Sequence, residues 1–292
     1  MPVKQRWDLL PGDEIAPGRQ IIEPLGRGER YETYLASDAH RLTVVVVKVL
    51  RADRRGDDRA LRGLLAEARM LERMQHPMIV RGFGAVVEGA YPQIVLEHLE
   101  GPALSTLLRR YGPLPQRQLL PLVIQVGSAL HYMHAEGVVH LDVKPRNIIM
   151  GAPPRLIDLS VARSVDEARR LDHPVGTDAY MAPEQCDPAT HGPVGPAADV
   201  WGLGVTLYEA LAGARPWPGS DEDLPQLQGA PDPLPRDVPV ELVEIVAACM
   251  EPDPAFRPAP SAVLEAVEPL VAALPTRPVL SRLRPRFRPG GD

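Results

Sequence analysis

The sequence predicts an α+β chain in two unequal lobes: a small lobe of five strands with one long helix, then a larger, mainly α-helical lobe. Three observations carry this. Short apolar runs punctuated by glycine and turn residues fill the stretch from Gln20 to Leu99, interrupted by a single helical period. Beyond Pro102 most apolar patterns have helical spacing. A chain of 292 residues, 45% of them hydrophobic, is long for one compact unit and too apolar to be disordered.

Composition excludes several classes. A net charge of −6 gives no electrostatic reason to expect nucleic acid as a partner. The two cysteines, Cys186 and Cys249, lie far apart without C-x-x-C spacing, which argues against a zinc site or a disulfide framework and reads as two buried thiols in a reducing compartment. Met1 to Gly12 lacks the apolar core of a signal peptide, and no stretch reaches the roughly 18 apolar residues of a spanning helix. The expectation is a soluble, cytoplasmic protein with no membrane span.

In order along the chain, residues 1–18 read as a polar lead-in punctuated by proline and glycine. Gln20–Leu25, Tyr31–Ser37 and Leu42–Leu50 read as strands. Between the first two, Gly26-Arg27-Gly28 lets backbone N–H groups approach a phosphate closely, although an ordinary glycine turn would look the same. The third strand is an apolar run holding one lysine, Lys48. A buried ammonium without a partner is costly, so Lys48 either reaches solvent or meets an anion. Asp57–Met74 is helical, with Leu61, Leu64, Leu65, Ala68 and Leu71 on one face. Glu67 lies roughly 40° from Leu71 and roughly 60° from Leu64, facing the seam between helix and sheet. Its neighbours three and four residues away, Gly63, Leu64, Met70 and Leu71, carry no charge. Glu67 is therefore either solvated or paired outside its helix. Ile79–Val87 and Gln93–Leu99 add two strands, and Glu97–Pro102 reads as a connector.

Leu104–Tyr111 reads as a short helix and Pro115–Glu136 as a long one, its regular part beginning near Pro121, with Gly137 as its stop. It delivers the chain to His140-Leu141-Asp142-Val143-Lys144-Pro145-Arg146-Asn147. The whole chain has only three lysines, Lys4, Lys48 and Lys144, and one asparagine, Asn147. Where position matters little this sequence uses arginine, so these two rare residue types point to a need for a point charge and a neutral oxygen donor. Ile148–Met150 and Arg155–Ile157 flank Gly151–Pro154 as a hairpin that places Asp158 directly after a strand. Asp142, Asn147 and Asp158 then form an all-oxygen donor set suited to Mg²⁺ bound together with phosphates. Ala198–Ala212, Val240–Met250 and Ala259–Leu274 complete the helices, and the prolines of Pro216–Pro239 argue against long ones there. The tail from Pro275 to Asp292 sets five arginines among prolines, a solvated disordered segment or, in the sharper alternative, a dock for an acidic partner.

Taken together and in this order, residues 19–274 resemble a Hanks-type protein kinase, most like the bacterial Ser/Thr kinases. The small lobe would span about 19–97, the connector about 97–102 and the larger lobe about 103–274, with the strands antiparallel. Leu25-Gly26-Arg27-Gly28 resembles the start of the glycine-rich loop, Val45-Val46-Val47-Lys48 the V-A-I-K strand, and Glu67 the helix glutamate that pairs that lysine. His140-Leu141-Asp142 through Asn147 is similar to H-R-D-x-x-x-x-N, Asp158-Leu159-Ser160 to D-F-G, and Ala182-Pro183-Glu184 is A-P-E intact, with Arg257 as its late arginine.

The resemblance implies ATP and Mg²⁺ as cofactors and a protein Ser/Thr hydroxyl as acceptor. Lys48, held by Glu67, would ground the α- and β-phosphates. Asn147 and Asp158 would hold the metal, Asp142 would take the acceptor proton, and Lys144 would offset charge on the moving phosphoryl group, with Thr177 beside that aspartate. Adenine would lie between Leu25, Thr33 and Val46 above and Ile149 below, bonded to the backbone of Glu97 and Leu99, with Leu96 as gatekeeper and Gly26 and Gly28 over the phosphates. Pairing of two copies through the small lobe stays open, and regulatory input is expected from partners.

Four residues depart from the family pattern. Tyr31 replaces the third loop glycine and would stiffen the loop, Val46 adds bulk above adenine, and Ser160 replaces the D-F-G glycine. Leu141 replaces the arginine that clamps an activation-loop phosphate, so activity independent of phosphorylation there is expected. The leading expectation is a Ser/Thr protein kinase. The alternatives are a pseudokinase serving as a nucleotide-binding scaffold and a small-molecule phosphotransferase.

Overall fold

Strand β4 shows why its sequence is apolar without alternation. Val45, Val47 and Val49 point to the outer face of the small-lobe sheet, whereas Val46, Lys48 and Leu50 point inward to the helix and the cleft. Both faces are covered, so neither row of side chains is polar by default. The computed structural model describes residues 6–218 and 223–274, and the arginine-rich tail lies outside them. Strands β1 (Glu14–Ala16), β2 (Arg19–Arg27), β3 (Tyr31–Asp38) and β4 (Thr43–Leu50) precede helix α1 (Asp58–Arg73), and β5 (Gly82–Val86) and β6 (Gln93–Glu97) follow it. They form one antiparallel sheet in the order β1-β2-β3-β4-β6-β5.

The five expected strands are present, and a sixth corrects the reading of the lead-in. β1 pairs with β2, and Trp7, Leu9 and Ile15 pack on the outer face of the sheet against Ile21, Tyr34 and the odd-numbered valines of β4. Polar spacing and turn residues hide these three apolar anchors in the sequence. β5 starts at Gly82 because Val80 leaves the sheet: its N–H donates to Leu156 O at 2.9 Å, and the Leu156 N–H donates to Met78 O at 2.7 Å, tying the lobes together. Asp57 caps α1 by accepting the N–H groups of Arg59 and Ala60, and the helix buries Leu64, Glu67, Ala68 and Leu71.

The larger lobe holds α2 (Leu104–Tyr111) and α3 (Gln116–Ala135), then the short strands β7 (Val138–Val139), β8 (Ile148–Ile149), β9 (Arg155–Leu156) and β10 (Arg163–Ser164). Helices α4 (Val165–Ala168), α5 (Pro183–Cys186), α6 (Pro188–His191), α7 (Pro196–Ala212), α8 (Val240–Cys249) and α9 (Pro260–Ala272) complete it. β8 and β9 form the expected hairpin, and β7 pairs with β10. α3 does not wait for Pro121. It is regular from Gln116, because the bond that Pro121 cannot donate would end on the carbonyl of exposed Arg117, which water can satisfy. α3 packs on α9 and α7 on α8. α7 is buried almost all round. It runs so close beneath residues 140–147 that a Cβ at Gly202 would sit 2.9 Å from Val143 O. Both cysteines are free and buried, and burial pushes each thiol up to about 12. No described helix is long and apolar enough to cross a membrane.

Candidate active site

Lys48 meets an anion, which closes the choice left open by its sequence. Its Nζ donates to Glu67 Oε1 at 2.6 Å and to Asp158 Oδ1 at 2.9 Å, and Glu67 finds its partner outside α1. Both residues are buried, Lys48 at 8% and Glu67 at 3% exposure. Burial disfavours the Lys48 ammonium, yet the charges of Glu67 and Asp158 outweigh it and hold its pKa above the ordinary lysine value. Burial pushes the Glu67 carboxyl upward against the pull of Lys48 and of the nearby Tyr31 hydroxyl, and Glu67 Oε2 makes no hydrogen bond of good geometry. At Asp158 burial acts in the same upward direction, but Lys48 overcomes it and the carboxyl sits below the usual carboxylate range.

The loop of residues 140–147, after β7, assembles the second group. Asp142 Oδ2 accepts from Lys144 Nζ at 2.7 Å and from Asn147 Nδ2 at 2.9 Å, while Asp142 Oδ1 accepts from Thr177 Oγ1 at 2.7 Å. Lys144 also donates to Thr177 Oγ1. With its amide nitrogen turned to Asp142, Asn147 keeps Oδ1 open as an acceptor. Asn147 and Asp158 line the same cleft, so two hard oxygen donors face one space.

Asp199, at the start of α7, suspends this loop. It accepts the N–H of His140 at 2.9 Å and of Leu141 at 2.7 Å, and its Oδ2 lies 2.8 Å from His134 Nε2. Burial alone would raise the Asp199 carboxyl, but His134 and these donors keep it low. Leu141 needs the support, because its φ of 64° lies in the left-handed region that disfavours side chains, at a cost of about 1–2 kcal/mol. Gln185 holds the other side of the same peptide by donating to Leu141 O at 3.0 Å. Asp158 adopts a similar φ of 69°, whereas Ser160 is not in that region. The strain of this segment therefore falls on the acid and not on the residue that replaced glycine.

The residues expected around adenine, Leu25, Thr33, Val46, Leu96, Glu97, Leu99 and Ile149, line one cavity of about 450 Å³. Among the described residues the Leu99 backbone makes no hydrogen bond, so its donor and acceptor are free for a ligand. The connector closes on the β8–β9 hairpin at Gly101, whose φ is 116° and whose Cβ would lie 2.7 Å from Met150 O. Gly26, Gly28, Lys48, Lys144, Asn147, Asp158 and Thr177 line an adjoining space of about 570 Å³. Glu67 stands behind Lys48, and Asp142 joins through Lys144, Asn147 and Thr177. Tyr31 lines the same space, at the base of the hairpin. Its ring turns inward, buried to 9%, with Lys48 Nζ 4.9 Å from its centroid.

Sequence reasoning missed Asp199, His134 and Gln185 as supports. Asp199 carried a usable signal, a carboxylate in the first turn of a mostly apolar helix whose other acid, Glu209, lies near its far end. Glu184 and Arg257 are joined as expected by two charge-assisted bonds of 2.6 and 2.8 Å.

A cleft roofed by a glycine-rich hairpin and floored by a loop slung from a buried aspartate, with a small sheet lobe above and helices below, defines the protein-kinase class of fold. The chain belongs to the protein kinase family: the protein kinase domain matches residues 19–267. It is 34% identical over 258 residues to the serine/threonine-protein kinase PkaA of Streptomyces coelicolor, which covers 82% of this chain and 47% of that protein. It is also 34% identical over 251 residues to the serine/threonine-protein kinase PknA of Mycobacterium tuberculosis, covering 82% and 57%. With the serine/threonine-protein kinase PknB of Mycobacterium leprae it shares 31% over 253 residues, 82% of this chain and 40% of the relative. The chain thus spans about half the length of the curated relatives it matches.

Proposed function

We propose that the chain is an ATP-dependent protein kinase that phosphorylates Ser or Thr hydroxyls of a protein substrate in the cytoplasm. The observation that carries the reading is the Asp142 carboxylate, which gathers Lys144, Asn147 and a threonine hydroxyl on one side of a cleft whose other side presents Lys48 and Asp158. Lys48 binds the α- and β-phosphates and is held charged by Glu67 and Asp158. Mg²⁺ fits the open oxygens of Asn147 and Asp158, and when bound it neutralises phosphate charge. Among the described residues no cluster of three or more His, Cys, Asp or Glu side chains could hold a metal ion by itself, so phosphates and water would supply most of the ligands. Asp142 Oδ1, which now accepts a hydroxyl hydrogen bond from Thr177, takes the proton of the acceptor hydroxyl, and Lys144 offsets the charge on the moving group. The acceptor oxygen bonds to the γ-phosphorus as the bond to the β-phosphate oxygen breaks, and ADP leaves without a covalent enzyme intermediate.

Activity on this reading does not require a phosphate on the activation segment. Leu141, where the family carries arginine, is buried to 3% and offers no charge. The hydroxyls of Ser164, Thr177 and Tyr180 are already engaged with Glu167, Asp142 and Glu209. Phosphatase treatment is expected to leave turnover unchanged, and abolished turnover would sink this point. The complete Lys48, Glu67, Asp142, Asn147 and Asp158 set weighs against a nucleotide-binding scaffold. The deciding assay incubates the protein with labelled ATP, Mg²⁺ and a generic basic protein substrate beside Asp142→Ala and Lys48→Ala. Signal no higher than in these controls, with nucleotide binding intact, would overturn catalysis.

A further inference from the structure

The lead-in does more than cover the sheet. Trp7 is pinned at three points: its backbone N–H donates to Glu32 Oε1 at 3.1 Å, its indole Nε1 donates to Leu50 O at 2.8 Å, and its ring packs edge-on against Tyr91 with centroids 4.7 Å apart. Glu32 is itself fixed, buried to 1% and accepting the Tyr34 hydroxyl at 2.6 Å. Tyr31 and Leu50 are register partners at one end of β3 and β4, beside the turn that follows Gly28. That turn is closed by Gly28 N–H to Tyr31 O at 2.9 Å and tied to β4 by Arg51 N–H to Arg30 O at 3.1 Å. One residue before Trp7, the chain is therefore held at the open end of the glycine-rich hairpin. Asp8 reaches back to the hairpin through an ion pair with Arg27 at 3.3 Å.

Arg6 lines the phosphate end of the cleft together with Gly26, Gly28, Lys48 and Asp158. Of the other cations there, Lys48 is answered by Glu67 and Asp158, Lys144 by Asp142, Arg27 by Asp8 and Arg51 by Asp53, whereas Arg30 and Arg146 have no ion pair among the described residues. Arg6 has no ion-pair partner among the described residues. A guanidinium held at the mouth of a phosphate-sized space, outside the residues matched to the family domain, is a free donor fork for an anion.

We propose that the lead-in is a strap that delivers Arg6 to the polyphosphate of the bound nucleotide, making Arg6 a substrate-binding residue and Trp7 the residue that positions it. This rests on the reading of the cleft as an ATP site. The test measures Mg²⁺-ATP, Mg²⁺-ADP and adenosine binding by calorimetry at low salt for the full chain, Arg6→Ala, Arg6→Lys, Trp7→Ala and the double variant. Arg6→Ala is expected to weaken ATP by about threefold to fivefold, the scale of a partly exposed ion pair, and to leave adenosine unchanged. Arg6→Lys should recover part of the loss. Trp7→Ala should reproduce it, with nothing further lost in the double variant. Equal ATP affinity in Arg6→Ala and the unaltered chain, or an equal loss for adenosine, overturns the strap. An unaltered chain that binds neither ATP nor adenosine overturns the nucleotide reading itself. Because Arg6 is exposed, a loss confined to phosphorylated ligands does not come from unfolding.

Discussion

Two buried ion pairs, one in each lobe, are built to opposite specifications. Arg257 and Glu184 are both inaccessible to solvent, joined by two bonds, and the remaining guanidinium N–H groups donate to the carbonyls of Ala197, Glu251 and Pro252 while the ring of Trp201 lies 5.0 Å away. Lys48 and Glu67 are joined by one bond, Glu67 Oε2 makes no hydrogen bond of good geometry, and the ammonium is shared with an acid from the other lobe. The saturated pair has nothing left to offer a ligand and fixes the floor of the larger lobe. The unsaturated pair keeps capacity in reserve, which suits a site that must exchange partners during a reaction.

That contrast can be broken experimentally. Arg257→Ala should cost about 3–5 kcal/mol of stability in urea titration, because it strands a carboxylate that has no access to water. Lys48→Met should instead lower turnover by about 10²–10³ and cost less stability than Arg257→Ala. Glu67, whose carboxyl burial already pushes upward, can take a proton when its partner is gone. If the two variants lose stability equally, the distinction between saturated and reserve pairs fails.

Arg19 and Asp38, in the small lobe, provide an intermediate case, with a 2.7 Å contact and Asp38 at 3% exposure. Burial would raise the Asp38 carboxyl, but bonds from Arg19 and Arg41 bring it to about 2 from its ordinary 3.8. A lowered folded-state value means that the contribution is fully present above about pH 4 and is lost as the pH falls towards 2. Asp38→Asn should therefore cost about 2 kcal/mol at pH 7, and the gap from the unaltered protein should close through that window. The smallest expected effect is at Ser164, which caps α4 in a capping box with Glu167. Ser164→Ala should lose about 1 kcal/mol with turnover per folded molecule unchanged. A collapse in turnover would mean that the segment is regulated after all.

What the sequence revealed follows from which residues impose a visible cost. Lys48 in a run of valines and Glu67 without a helical partner had to be answered somewhere, and each answered the other. Asp199 imposed a similar cost, but with Glu209 in the same helix it stands out less than Lys48 among valines, and its partners at residues 134, 140 and 141 are distant in sequence. Leu141 and Trp7 could not be read in this way. A leucine gives no sign that its backbone is left-handed, since the support comes from Asp199 and Gln185, distant in sequence. The anchoring of Trp7 depends on Glu32 and Leu50, which only the folded sheet brings within reach. The five longer strands of the small lobe and the long helices survived, because period and turn chemistry are local, whereas β1, the four-residue helices α4 to α6 and the role of the lead-in are set by tertiary packing.

The contact between Lys48 and Asp158 also acts as a latch between the lobes. With the backbone bonds of Val80 and Leu156, it ties one lobe to the other across the cleft. Opening must then disengage an ionic contact, so on the proposed reading the exit of the spent nucleotide is expected to be a step with its own electrostatic barrier. Added salt should quicken the release of a fluorescent ADP analogue in stopped-flow, and a release rate indifferent to salt would show that the latch does not govern it.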